Sequence, residues 1–201
     1  MSQVTRVLSI NGSYRDNGIT DQAVDAAVRV LSASSVEVED IQLRDDQIEF
    51  CINCRACTQE PGESPGQCIL DDGMSELLEK IEQADGYILA SPTNFESVTA
   101  IFQRFMERLT VYAYWPWGAN KPVIRKAKSP KKKAILISSC AAPGLLGRWT
   151  YDTEKQLKMT AQTIGAKSVG TLFTGLIAGD AGARLPERAH RRAEALAKKL
   201  M

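Results

Sequence analysis

The stretch that decides the fold is residues 4–20, VTRVLSINGSYRDNGIT. Its first part, Val4 to Ile10, is mostly apolar and contains β-branched side chains, which predicts a short buried strand. The polar stretch that follows contains two glycines, and from Thr20 to Leu31 apolar residues recur with the period of a helix. A strand, a glycine-containing loop and a helix in this order predict the first β–α unit of a parallel sheet.

The rest of the chain repeats the same alternation of strand and helix. Five such units predict an α/β fold with helices on both faces of a five-stranded parallel sheet in the order 2-1-3-4-5. We expect a single domain over residues 1–201, with a Cys-rich loop at about 44–70 and an aromatic and basic insertion at about 111–133. The other predicted strands are 36–43, 87–90, 134–139 and 168–174, and the other helices are 71–85, 98–109, 149–164 and 186–201.

The composition excludes several classes of partner. Lys and Arg number 25 against 24 Asp and Glu, so the overall charge gives no electrostatic case for binding nucleic acid or a membrane surface. No stretch approaches the roughly 18 apolar residues of a membrane span. We therefore expect a cytoplasmic protein. In that reducing compartment its five cysteines are expected to be thiols, metal ligands or redox groups rather than structural disulfides.

The loop after the first strand has the chemistry of a phosphate site. In a sheet of order 2-1-3-4-5, ligands bind outside the carboxyl ends of strands one and three, where the strand order reverses. Two hydroxyls, a guanidinium and the amides that open the helix all favour a terminal phosphate there, although a plain capped turn is the alternative. The spacings of the dinucleotide fingerprint and of the Walker loop are absent. The predicted contacts are Ser13, Arg15, Asn17, Gly18, Ile19 and Thr20.

Two loops carry a family resemblance. GSYRDNGIT, residues 12–20, resembles the GSxRxxGxT phosphate loop of NAD(P)H-dependent FMN reductases and related flavoproteins. SPTNFES, residues 91–97, resembles the flavin-embracing loop of the quinone reductases first described as tryptophan-repressor-binding proteins. Glu96 stands where these families usually have glycine, and a positive φ that glycine adopts cheaply strains a glutamate. The resemblance implies flavin contacts from Pro92, Thr93, Asn94, Phe95 and Glu96.

The third loop, SSCAAPG at 138–144, follows the fourth strand. Its small residues let a planar ring approach the backbone, and related proteins use this loop against the pyrimidine edge of the flavin. The three loops together imply FMN as cofactor and the flavodoxin-like form of the fold. The contacts that the resemblance implies here are Ser139, Cys140, Ala141 and Gly144.

The resemblance implies an oxidoreductase that passes electrons from NAD(P)H to flavin, a quinone or another small acceptor. A flavin needs little acid–base help, so no catalytic side chain is predicted. The lone His190, expected at the surface, leaves no Cys-His or Ser-His dyad, and GxSxG is absent, which disfavours a hydrolase. The alternative that is not an enzyme is a binding protein of the same fold that lacks flavin. The protein is expected to be a homodimer or homotetramer.

Four cysteines lie in the loop after the second predicted strand, in the spacing Cys51-x2-Cys54-x2-Cys57-x10-Cys68. Thiolates at two-residue intervals resemble an iron–sulfur ligation run and the cysteine motif of the iron–sulfur flavoproteins, although the last spacing is longer than in that family. The resemblance implies a [4Fe–4S] cluster, and with it the alternative function of an electron carrier that works with ferredoxin-type partners. Zinc, or thiols without any metal, are the other readings.

Two further segments have no assigned role. Residues 111–118, VYAYWPWG, concentrate four large aromatic side chains, which would either cover the flavin or an acceptor pocket or be buried between subunits. Residues 121–133 carry a run of Lys and Arg that includes Lys131. That run would either dock the NAD(P)H phosphates or form a solvated loop.

Overall fold

A computed structural model describes residues 6–128, 132–177, 179–180 and 182–201, so Val4, Thr5 and Lys131 of the predicted segments lie outside it. The strands are β1 (Arg6–Asn11), β2 (Glu37–Gln42), β3 (Gly86–Ala90), β4 (Ala113–Tyr114), β5 (Val123–Ile124), β6 (Lys132–Ser139) and β7 (Ala166–Thr174). The α-helices are α1 (Ile19–Ala33), α2 (Met74–Gln83), α3 (Ala100–Arg108), α4 (Gly144–Thr150), α5 (Thr153–Thr163) and α6 (Glu187–Ala197).

The main sheet is parallel and has the order β2-β1-β3-β6-β7, which confirms the predicted 2-1-3-4-5 arrangement. Asn11 at the end of β1 pairs with Ala90 at the end of β3, and Ala90 pairs with Ile137 of β6. The carboxyl ends of these three strands therefore meet at one edge, and the three loops examined in the sequence all begin there.

Apolar side chains pack on both faces of the sheet. β3 is buried along its whole length, as expected for a central parallel strand covered on both sides. On one face Tyr87, Phe102 and Phe105 belong to the cluster formed with α2, α3 and α5. On the other face Ile135 and Leu196 belong to the cluster formed with α1 and α6. The layers thus place α3 against the sheet on the same side as the loop that follows β2.

Two predicted elements differ from the structure. The helix expected over 149–164 is two helices, α4 and α5, because Tyr151 is extended and the Asp152 amide donates to the carbonyl of Glu96 at 2.9 Å. The insertion forms a short antiparallel pair, β4 with β5, which the sequence pattern did not indicate. Between β2 and α2 the described chain is mostly irregular, with one 3₁₀ turn at Ala56–Thr58. Nowhere in the described residues is a helix both long and apolar enough for a membrane span.

Glu154 joins α5 to α4 and β7. Its carboxylate, 7% exposed, accepts hydrogen bonds from Arg148 (Nη2, 2.9 Å), Lys158 (2.8 Å) and Thr171 (3.0 Å). Burial alone would raise its pKa, but these donors outweigh the burial and lower the pKa to about 2. The ionised carboxylate therefore stabilises the packing of these elements at neutral pH.

We expect Glu154→Gln to destabilise the protein by about 2 kcal/mol at pH 7, because charge-assisted hydrogen bonds are lost. The folded pKa of Glu154 lies below the value of about 4.3 for an unpaired glutamate. The difference in free energy of unfolding between wild type and Glu154→Gln is therefore fully present above that value and disappears as the pH falls towards 2. Denaturant unfolding from pH 7 to pH 2.5 measures it, with the exposed Glu187→Gln as control. An advantage that does not change with pH would contradict this account.

Candidate functional site

The first two loops are fixed to each other through Gly12. The Gly12 amide donates to the carbonyl of Ala90 at 2.8 Å, and its carbonyl accepts from Thr99 Oγ1 at 2.7 Å. A Cβ at position 12 would lie 2.8 Å from Cβ of Phe102, so only glycine permits this approach. Thr99 also caps α3 by accepting from the Phe102 amide. The loop after β1 and the loop after β3 therefore share one rigid junction.

The loop after β1 ends at a helix start that accepts an anion. Among the described residues no side chain caps the N-terminus of α1, where Gly18 is the N-cap, so its first amides are available to a ligand. Thr20, 2% exposed, lies beside them with its Oγ1 2.8 Å from Oγ of Ser139. This hydroxyl pair joins the first loop to the third.

Buried polar groups hold that loop in shape. Asn11 donates to Asp21 at 2.7 Å and accepts the Ser13 amide at 2.9 Å, so both ends of its amide are used. Arg44 donates to the carbonyl of Ser13 at 3.1 Å and pairs with Asp16 at 2.6 Å. Arg44 and Asn11 were missed in the sequence, since neither belongs to the loop motif. Both stabilise the loop from beneath, so its shape does not depend on a bound ligand.

The second loop contains a strained two-residue turn. Asn94 and Ser97 exchange backbone hydrogen bonds of 2.9 and 3.0 Å, while Phe95 and Glu96 between them have φ of 48° and 64°. Positive φ at both central positions is the type I′ geometry that favours Asn and Gly. The glycine-like conformation anticipated for Glu96 is thus present. Thr93 anchors the other side of the loop, because its amide donates to the carbonyl of Ser139 at 2.7 Å.

The third loop brings a neutral thiol to the site. Cys140 is 2% exposed, its amide donates to Thr174 at 2.8 Å, and its Sγ lies 3.3 Å from the carbonyl of Ala142. Burial raises the pKa of the Cys140 thiol, so it stays protonated and is a poor nucleophile. Gly144 begins α4 close to the backbone of Phe173 and Gly175. This loop is therefore a small, uncharged surface.

The three loops line one cavity of about 860 Å³. Phe95, Glu96 and Gly144, predicted as contacts, do not belong to its described wall, and the Phe95 side chain is completely exposed. The predicted residues that do line it are Ser13, Arg15, Asn17, Gly18, Ile19, Thr20, Pro92, Thr93, Asn94, Ser139, Cys140 and Ala141.

The cavity wall extends beyond the predicted residues along α1 and the segment before α6. Asp25 and Arg29 line it from α1, and their four-residue spacing places them on one helix face. His190 lines it too, at a partly exposed position where its Nδ1 lies 3.5 Å from Oε1 of Glu194. The sequence analysis missed all three residues. Helix spacing is the signal that could have found the first pair, whereas nothing local in the sequence indicates His190, which reaches the cavity through the packing of α6 on α1.

Comparison with known proteins agrees with this geometry. The sequence matches the NADPH-dependent FMN reductase family over residues 5–170. The chain belongs to that family. It is 33% identical over 111 residues to an iron–sulfur flavoprotein of Archaeoglobus fulgidus and 36% identical over 103 residues to one of Methanocaldococcus jannaschii. These matches cover 55% and 51% of this chain and 48% and 51% of the relatives, so the chain matches about half the length of each.

Solved structures show the same fold. An NAD(P)H:quinone oxidoreductase from Methanothermobacter marburgensis superposes with a TM-score of 0.69 at 18% identity, over 98% of this chain and 96% of the other. An archaeal flavodoxin superposes with a TM-score of 0.56 at 9% identity, over 98% and 96%. The fold is therefore flavodoxin-like, as predicted.

This member of the FMN reductase family packs its insertion against the cysteine loop. The guanidinium of Arg55 lies between the rings of Trp115 and Trp117, 4.0 and 4.2 Å from their centroids, and donates to the Trp115 carbonyl at 2.6 Å. In the described structure no residue of 111–118 lines the flavin-loop cavity. The aromatic segment therefore supports the cysteine loop within the same chain and does not line the cavity of that chain. Coverage of the cavity from a second subunit stays a hypothesis.

Arg125 is the buried centre of that contact. It is 8% exposed and donates to the carbonyls of Val111 (3.0 Å), Gly62 (3.2 Å), Cys57 (3.1 Å) and Glu60 (2.9 Å). The run at 121–133 is thus not simply a solvated loop, because one of its cations organises the backbone around Cys57.

The donor set of the cysteine loop suits a thiolate-bound metal or cluster. All four thiols are free, and Cys51, Cys57 and Cys68 are half-buried while Cys54 is exposed. Burial, and after it the charges of Cys68, Cys51 and Cys54, raise the pKa of the Cys57 thiol. Within the described chain, no three His, Cys, Asp or Glu side chains are close enough to hold a metal as they stand. Binding would require the thiols to draw together.

The strained turn of the second loop gives a stability prediction. We expect Glu96→Gly to stabilise the protein by about 0.5–1 kcal/mol, because relief of the positive φ outweighs the added freedom of glycine in the unfolded chain. Urea unfolding at neutral pH measures the change. The control is Glu63→Gly, at an exposed loop position without a positive φ, which we expect to be neutral or destabilising. Equal effects of the two substitutions would show that the turn stores no strain.

Proposed function

We propose that the protein binds FMN in the cavity between its three loops and transfers electrons from NAD(P)H to a small acceptor such as free flavin or a quinone. The observation that carries the proposal is the uncapped start of α1 beside the buried hydroxyls of Thr20 and Ser139, at one end of the cavity. Membership of the FMN reductase family supports it. The bound flavin would accept hydride from the nicotinamide and pass the electrons on.

Each loop has a distinct part in this proposal. The amides of Gly18 to Thr20 and the hydroxyls of Ser13 and Thr20 bind the terminal phosphate, where the helix dipole favours its charge. Thr93 and Asn94 present backbone to the ring, and Ser139, Cys140 and Ala141 form the small surface for its pyrimidine edge. Phe95 and Glu96 lie outside the wall and shape the turn that holds Asn94.

No side chain of the loops is needed as an acid or base. The residues of the second and third loops that line the cavity offer amides, hydroxyls and one protonated thiol, which would orient a planar ligand without exchanging protons with it. We propose no catalytic residue for this reason. The cytoplasmic location and the homodimeric or homotetrameric state stay predictions.

The phosphate site can be tested with one hydroxyl. We expect Thr20→Val to weaken FMN binding about 10- to 100-fold, because a buried hydrogen bond to a charged group is lost. Riboflavin, which lacks the phosphate, should bind wild type and variant equally. Quenching of flavin fluorescence measures both ligands. The matched control is Thr163→Val, whose hydroxyl only donates to the Met159 carbonyl on α5. An equal loss for FMN and riboflavin would contradict a phosphate role for Thr20.

We propose a cluster at the four cysteines as a second function, which would make the protein an electron carrier as well as a flavin enzyme. Two observations favour it over the flavin-only reading. The cysteines Cys51, Cys54, Cys57 and Cys68 lie in one loop, in which the backbone at Gly66 contacts the backbone of Cys57. Both relatives reported above are named iron–sulfur flavoproteins. Thiolates are the ligands that such clusters require.

Anaerobic reconstitution with iron and sulfide tests this second function. We expect uptake of about four irons and four sulfides per chain in the wild type, with a broad visible absorption that is separable from the flavin bands. The double variant Cys54→Ser/Cys57→Ser should lose this uptake while still quenching FMN fluorescence. Iron uptake that survives in the variant would show that the metal is adventitious. Uptake of zinc alone would support the zinc reading.

A further inference from the structure

Arg108, the last residue of α3, is a buried cation that touches a cysteine. Its side chain is 1% exposed and makes a two-pronged pair with Asp72, with Nη1 2.5 Å from Oδ2 and Nη2 3.0 Å from Oδ1. Nη1 also donates to the carbonyl of Glu49 at 2.8 Å. The other hydrogen of Nη2 is directed at Sγ of Cys68, at a distance of 3.5 Å.

The contact with Asp72 does not account for the contact with sulfur. The two carboxylate oxygens of Asp72 accept hydrogen bonds from one edge of the guanidinium. The remaining Nη2 hydrogen is donated to Sγ of Cys68. A neutral thiol is a weak acceptor, but a thiolate accepts a charge-assisted hydrogen bond well. The buried donor therefore suits a Cys68 that carries negative charge, as a cluster ligand does.

We propose that Arg108 is a positioning residue for Cys68, holding it as the fourth ligand of the cluster and raising the cluster's reduction potential. The inference rests on the second proposed function. Reduction adds negative charge to the centre, and a hydrogen bond to a ligand sulfur stabilises that charge. Ten residues separate Cys57 from Cys68, so the position of Cys57 does not by itself fix that of Cys68. Arg108, which lies at a fixed place on α3, anchors Cys68 instead.

The loop between the two cysteines is built to bring Cys68 back. Gly66 donates to the carbonyl of Val111 at 2.8 Å, and a Cβ at position 66 would lie 1.8 Å from the carbonyl oxygen of Cys57. The backbones before Cys68 and at Cys57 thus run in direct contact. The long spacing is taken up by the excursion of residues 60–65, which Arg125 holds through Gly62 and Glu60. The contact at Gly66 therefore brings the chain next to Cys57 two residues before Cys68, whose Sγ accepts from Arg108.

The test compares Arg108→Lys with Arg104→Lys in the reconstituted full chain. Lysine at 108 keeps a positive charge opposite the buried Asp72, so the fold is retained, but a single ammonium cannot serve both Asp72 and Cys68. Arg104 lies one turn earlier on α3 and its guanidinium lies over the ring of Phe50, 5.7 Å from the centroid, rather than on a thiol. A redox titration followed by visible absorbance and by the magnetic resonance of the reduced cluster gives the potential of each.

We expect the Arg108→Lys cluster to have a lower reduction potential than wild type, with unchanged FMN quenching, and Arg104→Lys to match wild type. Loss of iron from Arg108→Lys alone, in a folded chain, would equally support the anchoring of Cys68. A wild-type potential and iron content in Arg108→Lys overturn the inference and leave the cluster standing. If the wild type takes up no iron, the second function and the inference fail together, while the FMN site is unaffected.

Discussion

The contact between Gly12 and the start of α3 is the constraint on which both sites depend. Because position 12 has no side chain, Phe102 and Thr99 approach the loop after β1 directly, which fixes that loop against the one after β3. The same helix ends about 14 Å further on, at nine residues of 1.5 Å each, where Arg108 meets Cys68. One rigid element therefore positions the flavin loops at one end and the cysteine loop at the other.

The two sites differ in how charge is handled. Beneath the phosphate loop the charged carboxylate of Asp21 is paired with Arg44 and accepts a hydrogen bond from Asn11. Around the cysteine loop, by contrast, guanidinium groups stabilise the backbone. Arg55 packs against two indole rings, and Arg125 donates hydrogen bonds to carbonyls. The insertion between α3 and β6 thus belongs structurally to the cysteine loop.

The sequence predicted whatever depends on local pattern. The alternation of five strands and helices predicted the sheet order, and the glycine loop before α1 and the buried run of β3 located the first two loops, because period and turn chemistry are local properties. What it did not predict depends on distant contacts. The break between α4 and α5 needs the carbonyl of Glu96, and the burial of Arg125 needs carbonyls more than sixty residues away. The sequence alone does not show which of the Lys and Arg residues in 121–133 is buried, because the burial of Arg125 depends on these distant carbonyls.

The central claim is that the loops at the carboxyl ends of β1, β3 and β6 form a single FMN site. Amide chemical shifts of the isotopically labelled protein, followed by NMR as FMN is added, test it most directly. The account predicts that the largest shifts fall on Gly18, Ile19, Thr20 and Thr93, with smaller ones at Cys140, while the amides around Cys57 change little. The largest shifts around Cys57, or no saturable shifts at all, would contradict it.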